Sequence, residues 1–258
     1  MKIEVQKLLE AKFQQFNQID FIKEDPISIP HMFSKKENIE IMGFWVAILS
    51  WGQRKTILRK AKELIDLMDG NPHDFILHFR DKDLKRFENF KHRTFQYPDT
   101  LYFLNFFQRH YKLHQSLESA FSKTFNSSEE TIESSINRFY DYFFDDEWVL
   151  NRTKKHISRP ASHSACKRIC MFLRWMVRQD ANGVDFGLWK TIKPSQLICP
   201  LDVHVQRQAE QLGLIPNAPA SWKLAVHLTK ELKKFDINDP VKYDFALFGL
   251  GIESKKML

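Results

Sequence analysis

The sequence predicts an all-α protein on three observations. Only eight of its 258 residues are glycine, too few for the tight turns of a β-sandwich or the glycine-rich phosphate loops of a nucleotide-binding α/β fold. Apolar residues recur at three- and four-residue intervals through almost every long segment, which is the helical period. The 23 phenylalanines largely follow those intervals. Hydrophobic residues at 43% and charged residues at 28% belong to a globular chain and exclude disorder or a collagen-like repeat.

In order along the chain, residues 39–68 predict two helices, an apolar one through GFWVAILSW and an amphipathic one through TILRKAKELIDLM. Gly70, Asn71 and Pro72 stop the second. Shorter helices follow at 74–79 and 81–90. Residues 98–113 (PDTLYFLNFFQRHYKL) and 128–144 (SEETIESSINRFYDYFF) predict core helices. The stretch 150–164 is polar and basic and contains Pro160, so it reads as a linker or ordered loop near a lobe boundary. Beyond it, helices are predicted at 165–178, 203–212, 220–235 and 240–250. The last has Asp239 at the N-cap and Pro240 at its first position. Trp148, Trp175, Trp189 and Trp222 lie in apolar contexts and are predicted as core.

Charge narrows the partners. The net charge is +7, which makes polyanions plausible. Residues 151–180 hold eight Lys and Arg against one acid, Asp180. Three cysteines, Cys166, Cys170 and Cys199, suit a reducing compartment without a disulfide framework, hence a cytoplasmic location. The N-terminus lacks the apolar core and cleavage site of a signal peptide. The longest uncharged apolar stretch, residues 41–53, falls short of the roughly 20 residues a membrane span needs. His163, Cys166 and Cys170 lie within two helical turns without a matching second cluster, a poor zinc site, so no metal is expected.

Two residues invite a chemical reading. With Ser164 as N-cap of the helix through SACKRICMFLRWMVR, Lys167 sits in the first turn, where unpaired N–H groups and the helix dipole disfavour a further positive charge. Its amine is expected to lose its proton more readily, which Schiff-base chemistry requires, because only the neutral amine attacks carbon. The competing reading makes Lys167, Arg174 and Arg178 a solvated stripe opposite the buried face of Ala165, Ile169, Phe172, Leu173 and Met176. In CPLDVHVQRQAEQLGL, Asp202 stands where an N-cap belongs. A carboxylate held there is also a fixed negative charge able to stabilise a developing cation. Capping alone explains it equally well.

Segment 199–214, with its proline, apolar residue, aspartate, apolar residue, histidine, valine, arginine and then Leu-Gly, closely resembles the second half of the catalytic motif of the helix-hairpin-helix DNA glycosylases. The resemblance implies that Asp202 is the catalytic aspartate and Lys167 the lysine that attacks the sugar in bifunctional members. Their separation is most similar to that of the archaeal 8-oxoguanine glycosylase branch. Residues 40–68 resemble the early helix pair of the superfamily, with Leu49, Ser50 and Gln53 matching its junction; Gln53 is thereby a wedge candidate beside Trp51. Taken whole, DPISIPH, FKHRTF, SACKRICMFLRWMVR, VDFGLWK, PLDVHV and DPVKYDFALFGLG look like an uncharacterised bacterial family of this superfamily.

The resemblance implies a two-lobed all-α fold with a cleft between the lobes. Residues 1–36 would form an N-terminal helix and loop packing on the C-terminal lobe, 37–150 a helical lobe, and 151–258 the lobe with hairpin and aspartate motif. It implies excision of a damaged base, most plausibly an oxidised purine such as 8-oxoguanine, with AP-lyase activity through the lysine. The partner would be duplex DNA and the protein a monomer without cofactor or membrane. Arg54, Arg159, Ser164, Arg168, His204 and Arg207 are candidates to join Gln53 in contacting DNA. Two departures stand out. SRPASHSACKR lacks the Gly-x-Gly of most hairpins, and no cysteine follows Cys199 to build an iron–sulfur cluster. A non-catalytic nucleic-acid-binding protein on the same scaffold is the alternative, and a protein-interaction scaffold a third reading.

Overall fold

The computed structural model describes residues 2–123, 125, 126 and 128–256. Among these the chain is helical without a strand; His92 and Phe95 form an isolated bridge. In chain order the α-helices are α1 (Lys2–Phe16), α2 (Ile19–Ile22), α3 (Lys36–Leu49), α4 (Arg54–Leu67), α5 (Pro72–His78), α6 (Asp81–Leu84), α7 (Tyr97–Tyr111), α8 (Glu118–Ser122), α9 (Glu133–Phe143), α10 (Asn151–Lys154), α11 (Lys167–Val177), α12 (Val203–Gln211), α13 (Trp222–Lys233) and α14 (Tyr243–Lys256). None of the described helices is long and apolar enough to cross a membrane.

The chain divides into two compact units. One comprises Glu24–Phe125 and Arg138–Ser158, the other Met1–Lys23, Asn126–Asn137 and Arg159–Leu258. The first, here the aromatic unit, is organised around α3, which is buried from Asn38 through Leu49; from Ile41 on it is apolar on every side. Phe44 and Trp45 pack against α7 and α9, with Phe44–Phe107 ring centroids 5.7 Å apart and Trp45–Phe103 centroids 5.0 Å apart. Much of the phenylalanine content is spent here. Glu40 is fully buried in this helix and is satisfied by the Tyr111 hydroxyl at 2.9 Å, the Ser116 hydroxyl at 2.5 Å and the Leu117 N–H at 2.9 Å, as a buried carboxylate must be.

In the second, the terminal unit, α1 and α12 pack along α14. Gly249 permits the first approach: a Cβ there would lie 2.1 Å from the Phe16 ring. Gly251 permits the second, since a Cβ would lie 2.9 Å from that of His204. Ile169, Phe172, Leu173 and Met176 of α11 are buried, and the N–H groups of Phe186 and Trp189 close its C-terminal carbonyls at Trp175 and Met176, at 2.8 and 2.9 Å.

Several boundaries differ from the sequence reading for local reasons. Residues 128–132 do not join α9, because the Ile132 N–H donates to Gln196 O at 2.9 Å instead of up a helix. Residues 81–90 break into α6 and a 3-10 turn, Lys85–Phe87. Pro240–Lys242 is likewise 3-10 before α14. Asp239 makes no side-chain cap there, because its carboxylate is taken by Arg178 at 2.8 Å. Trp175, Trp189 and Trp222 are buried, but Trp148 is 81% exposed. It stands in the acidic turn after α9, where its N–H donates to Asp146.

Candidate active site

The turn before α11 is built without glycine. His163 and Cys166 take positive φ angles of 60° and 51°, a left-handed conformation that costs a non-glycine residue on the order of 1 kcal/mol. Cys166, not Ser164, is the N-cap. Ser164 lies two residues earlier, where its hydroxyl accepts the Cys166 N–H at 3.2 Å. Lys167 is therefore the first residue of α11. Its amine reaches the Met171 sulfur at 3.5 Å, and the side chain is half-buried.

Asp202 caps α12. One carboxylate oxygen accepts the N–H groups of His204 at 2.8 Å and Val205 at 2.9 Å, the arrangement that satisfies the first orphan donors of a helix. Its second oxygen takes no part in the cap.

The solvated stripe expected on α11 is instead interior. Arg174 and Arg178 are 3% and 1% exposed. Arg174 closes directly on Asp244 and reaches Asp185 at 3.3 Å. Arg178 binds Asp185 at 3.1 Å, Asp239 at 2.8 Å and Asp180. Phe245 covers the Arg174 guanidinium at 4.2 Å and Phe13 that of Arg178 at 5.2 Å, a cation–π cover that suits a desolvated arginine. Part of the positive charge of residues 151–180 thus serves the core. In the aromatic unit Arg152 does similarly, 3.3 Å from buried Asp99.

Asp244 links this network to the two candidate residues. Burial pushes its carboxyl up to about 6; the Arg174 guanidinium opposes that, the Asp202 charge reinforces it and the Lys167 charge opposes it. The charges of Lys167 and Asp202 thus both enter the field at one buried carboxyl. Sequence reasoning missed Asp244. The available signal was a lone acid near the start of the apolar run YDFALFGLG, since an acid on a buried helix must be partnered or functional. Cys199 lies in the same field, with Asp244, Arg174, Cys170 and Asp202 acting on it, and burial foremost raises its thiol. Cys166, Cys170 and Cys199 are buried thiols outside any disulfide. No group of three or more His, Cys, Asp or Glu among the described residues is arranged to hold a metal.

Arg159 precedes the 3-10 turn Pro160–Ser162, and Arg168, second in α11, is half-buried, its guanidinium lowered by burial. His204 is tucked beneath Gly251 with its ring edge-on to Phe248 at 6.1 Å. Arg207 is exposed on α12. All of these, with Ser164, Lys167 and Asp202, belong to the terminal unit. Gln53 and Arg54 belong to the aromatic unit, at the N-cap and first position of α4. Gln53 is exposed. Beside it Trp51 is already engaged, with the Arg93 guanidinium 4.9 Å over its ring and the His92 ring edge-on at 5.6 Å.

Compared with protein-family models, residues 25–253 match one described as a protein of unknown function, DUF2400. No curated protein and no solved structure matches the chain. The chain belongs to the DUF2400 family.

Proposed function

We propose that this protein is a DNA glycosylase of the helix-hairpin-helix type, excising a damaged base, with an oxidised purine such as 8-oxoguanine favoured, and carrying AP-lyase activity. The observation that carries the reading is the pairing of Lys167 and Asp202, each at the start of a helix of one unit, both acting on buried Asp244. The left-handed steps at His163 and Cys166 add support. A positive φ is the conformation that glycine ordinarily supplies in a turn.

The damaged nucleotide must leave the stack, which costs a few kcal/mol and favours lesions that pair or stack badly. Attack on the anomeric carbon by the Lys167 amine, after it has given up its ammonium proton, breaks the glycosidic bond, and the base departs with the proton that the attacking nitrogen then loses. The Asp202 oxygen not used in capping stabilises the positive charge that develops on the sugar. Ring opening gives an imine to Lys167. Loss of a proton from the adjacent carbon then expels the 3′ phosphate by β-elimination, and water releases the amine.

Single-turnover incubation with a duplex containing one 8-oxoguanine, followed by chromatography of the free base, tests the glycosylase. Release from the lesion but not from guanine is expected. Salt-dependent duplex binding without release of any oxidised purine favours instead a nucleic-acid-binding protein on the same scaffold.

A further inference from the structure

A second site lies wholly in the aromatic unit. A partly enclosed cavity of about 200 Å³ is lined by His110 and Tyr142, by His114 and Ser119, and by Lys123 and Arg138. One wall is fixed by its own hydrogen bonds. The His110 Nε2 faces the Ser116 carbonyl at 2.9 Å and its Nδ1 faces the Tyr142 hydroxyl at 3.0 Å. A carbonyl only accepts, so Nε2 carries the proton and Nδ1 accepts from Tyr142. The Ser119 hydroxyl donates to the same carbonyl at 2.9 Å. His110 is fully buried, and burial, foremost, lowers it to about 4, so this wall is neutral near pH 7.

The charge comes from other groups of the lining. Lys123 and Arg138 are cationic and His114 adds an imidazole, while none of the lining side chains among the described residues is acidic. A guanidinium offers a planar fork of donors and an ammonium a point charge, the pair that matches a phosphoryl group. The volume, below the roughly 300–1,000 Å³ typical of sites for drug-sized ligands, admits a phosphoryl group with a small attached moiety.

We propose that this cavity binds the phosphoryl group of a small phosphate compound, with Lys123, Arg138 and His114 as its ligands. The site is independent of base excision, and it stands or falls separately from the chemistry of Lys167.

Calorimetric titration of the full chain with ribose 5-phosphate, and separately with inorganic phosphate, at one ionic strength, tests it. Saturable binding of at least one is expected, weakened about tenfold in Lys123→Ala and unchanged in Lys91→Ala, which removes the same charge from an exposed position of the same unit. Tighter binding of the sugar phosphate identifies an ester as the occupant; equal or tighter binding of inorganic phosphate identifies the free ion. No saturable binding of either, a loss in Lys123→Ala under about threefold, or an equal loss in both variants overturns the proposal.

Discussion

Arg174 of α11 closes directly on Asp244 of α14, inside the unit that carries Lys167 and Asp202. The contact makes one helix serve two ends. Its first residue, Lys167, is half-buried, while about two turns further on Arg174, and at the C-cap Arg178, pair with four aspartates, Asp180, Asp185, Asp239 and Asp244. The position of Lys167 is therefore held by an ionic core and not by apolar packing alone.

Arg174→Met is expected to destabilise the protein by about 3–5 kcal/mol, because it strips one partner from a buried ion pair and leaves Asp244 and Asp185 short of positive charge. The double variant Arg174→Met/Asp244→Leu should recover part of that loss. Urea unfolding of the three proteins checks both.

Asp202 has two separable duties. Asp202→Ala should cost about 1 kcal/mol of stability, the usual value of an N-cap, and abolish base release. Asp202→Asn keeps a capping oxygen and should unfold within about 0.5 kcal/mol of the parent, yet lose base release because the negative charge is gone. Equal activity of the Asn variant would limit Asp202 to its structural duty.

The helices were legible in the sequence wherever apolar spacing ran unbroken, as in α3, α4, α7 and α12, and Asp202 was legible as a cap because the signal is local. What could not be read depends on distant partners. Arg174 and Arg178 look like a solvated stripe until Asp185, Asp239 and Asp244 are brought to them. Asp239 fits a cap until Arg178 takes its carboxylate. Asp244 carries no motif of its own, and only folding puts it in the field of Lys167 and Asp202. Ser164 has the right chemistry for a cap, but the left-handed turn at Cys166 moves the helix start past it.

Backbone strain before α11 gives a further expectation. His163 is exposed and left-handed, so His163→Gly should relieve strain and raise stability by about 0.5–1 kcal/mol, the relief exceeding the added entropy of the unfolded chain. A thermal melt reads it directly. A fall in melting temperature would show that the His163 side chain contributes more than its conformation costs.

His110 should leave a signature in acid. Its folded pKa, about 4, lies below the ordinary 6.5, so between those values the unfolded chain binds more protons than the folded one. Stability from this group is complete above about pH 6.5 and falls as pH drops toward 4, by at most about 3 kcal/mol. Asp244 works in the opposite sense over its own range, from 3.8 to about 6. Comparing the parent with His110→Gln across pH 4–7 by urea unfolding isolates the histidine: the variant should lack that component of the acid loss.

The Lys167 amine is expected to form a covalent bond to the sugar. Incubation with an 8-oxoguanine duplex in the presence of borohydride, followed by denaturing electrophoresis, measures it most directly. A protein–DNA adduct in the parent that disappears in Lys167→Ala is the expected result. No adduct with the parent protein, or one that persists when Lys167 is replaced, contradicts the account.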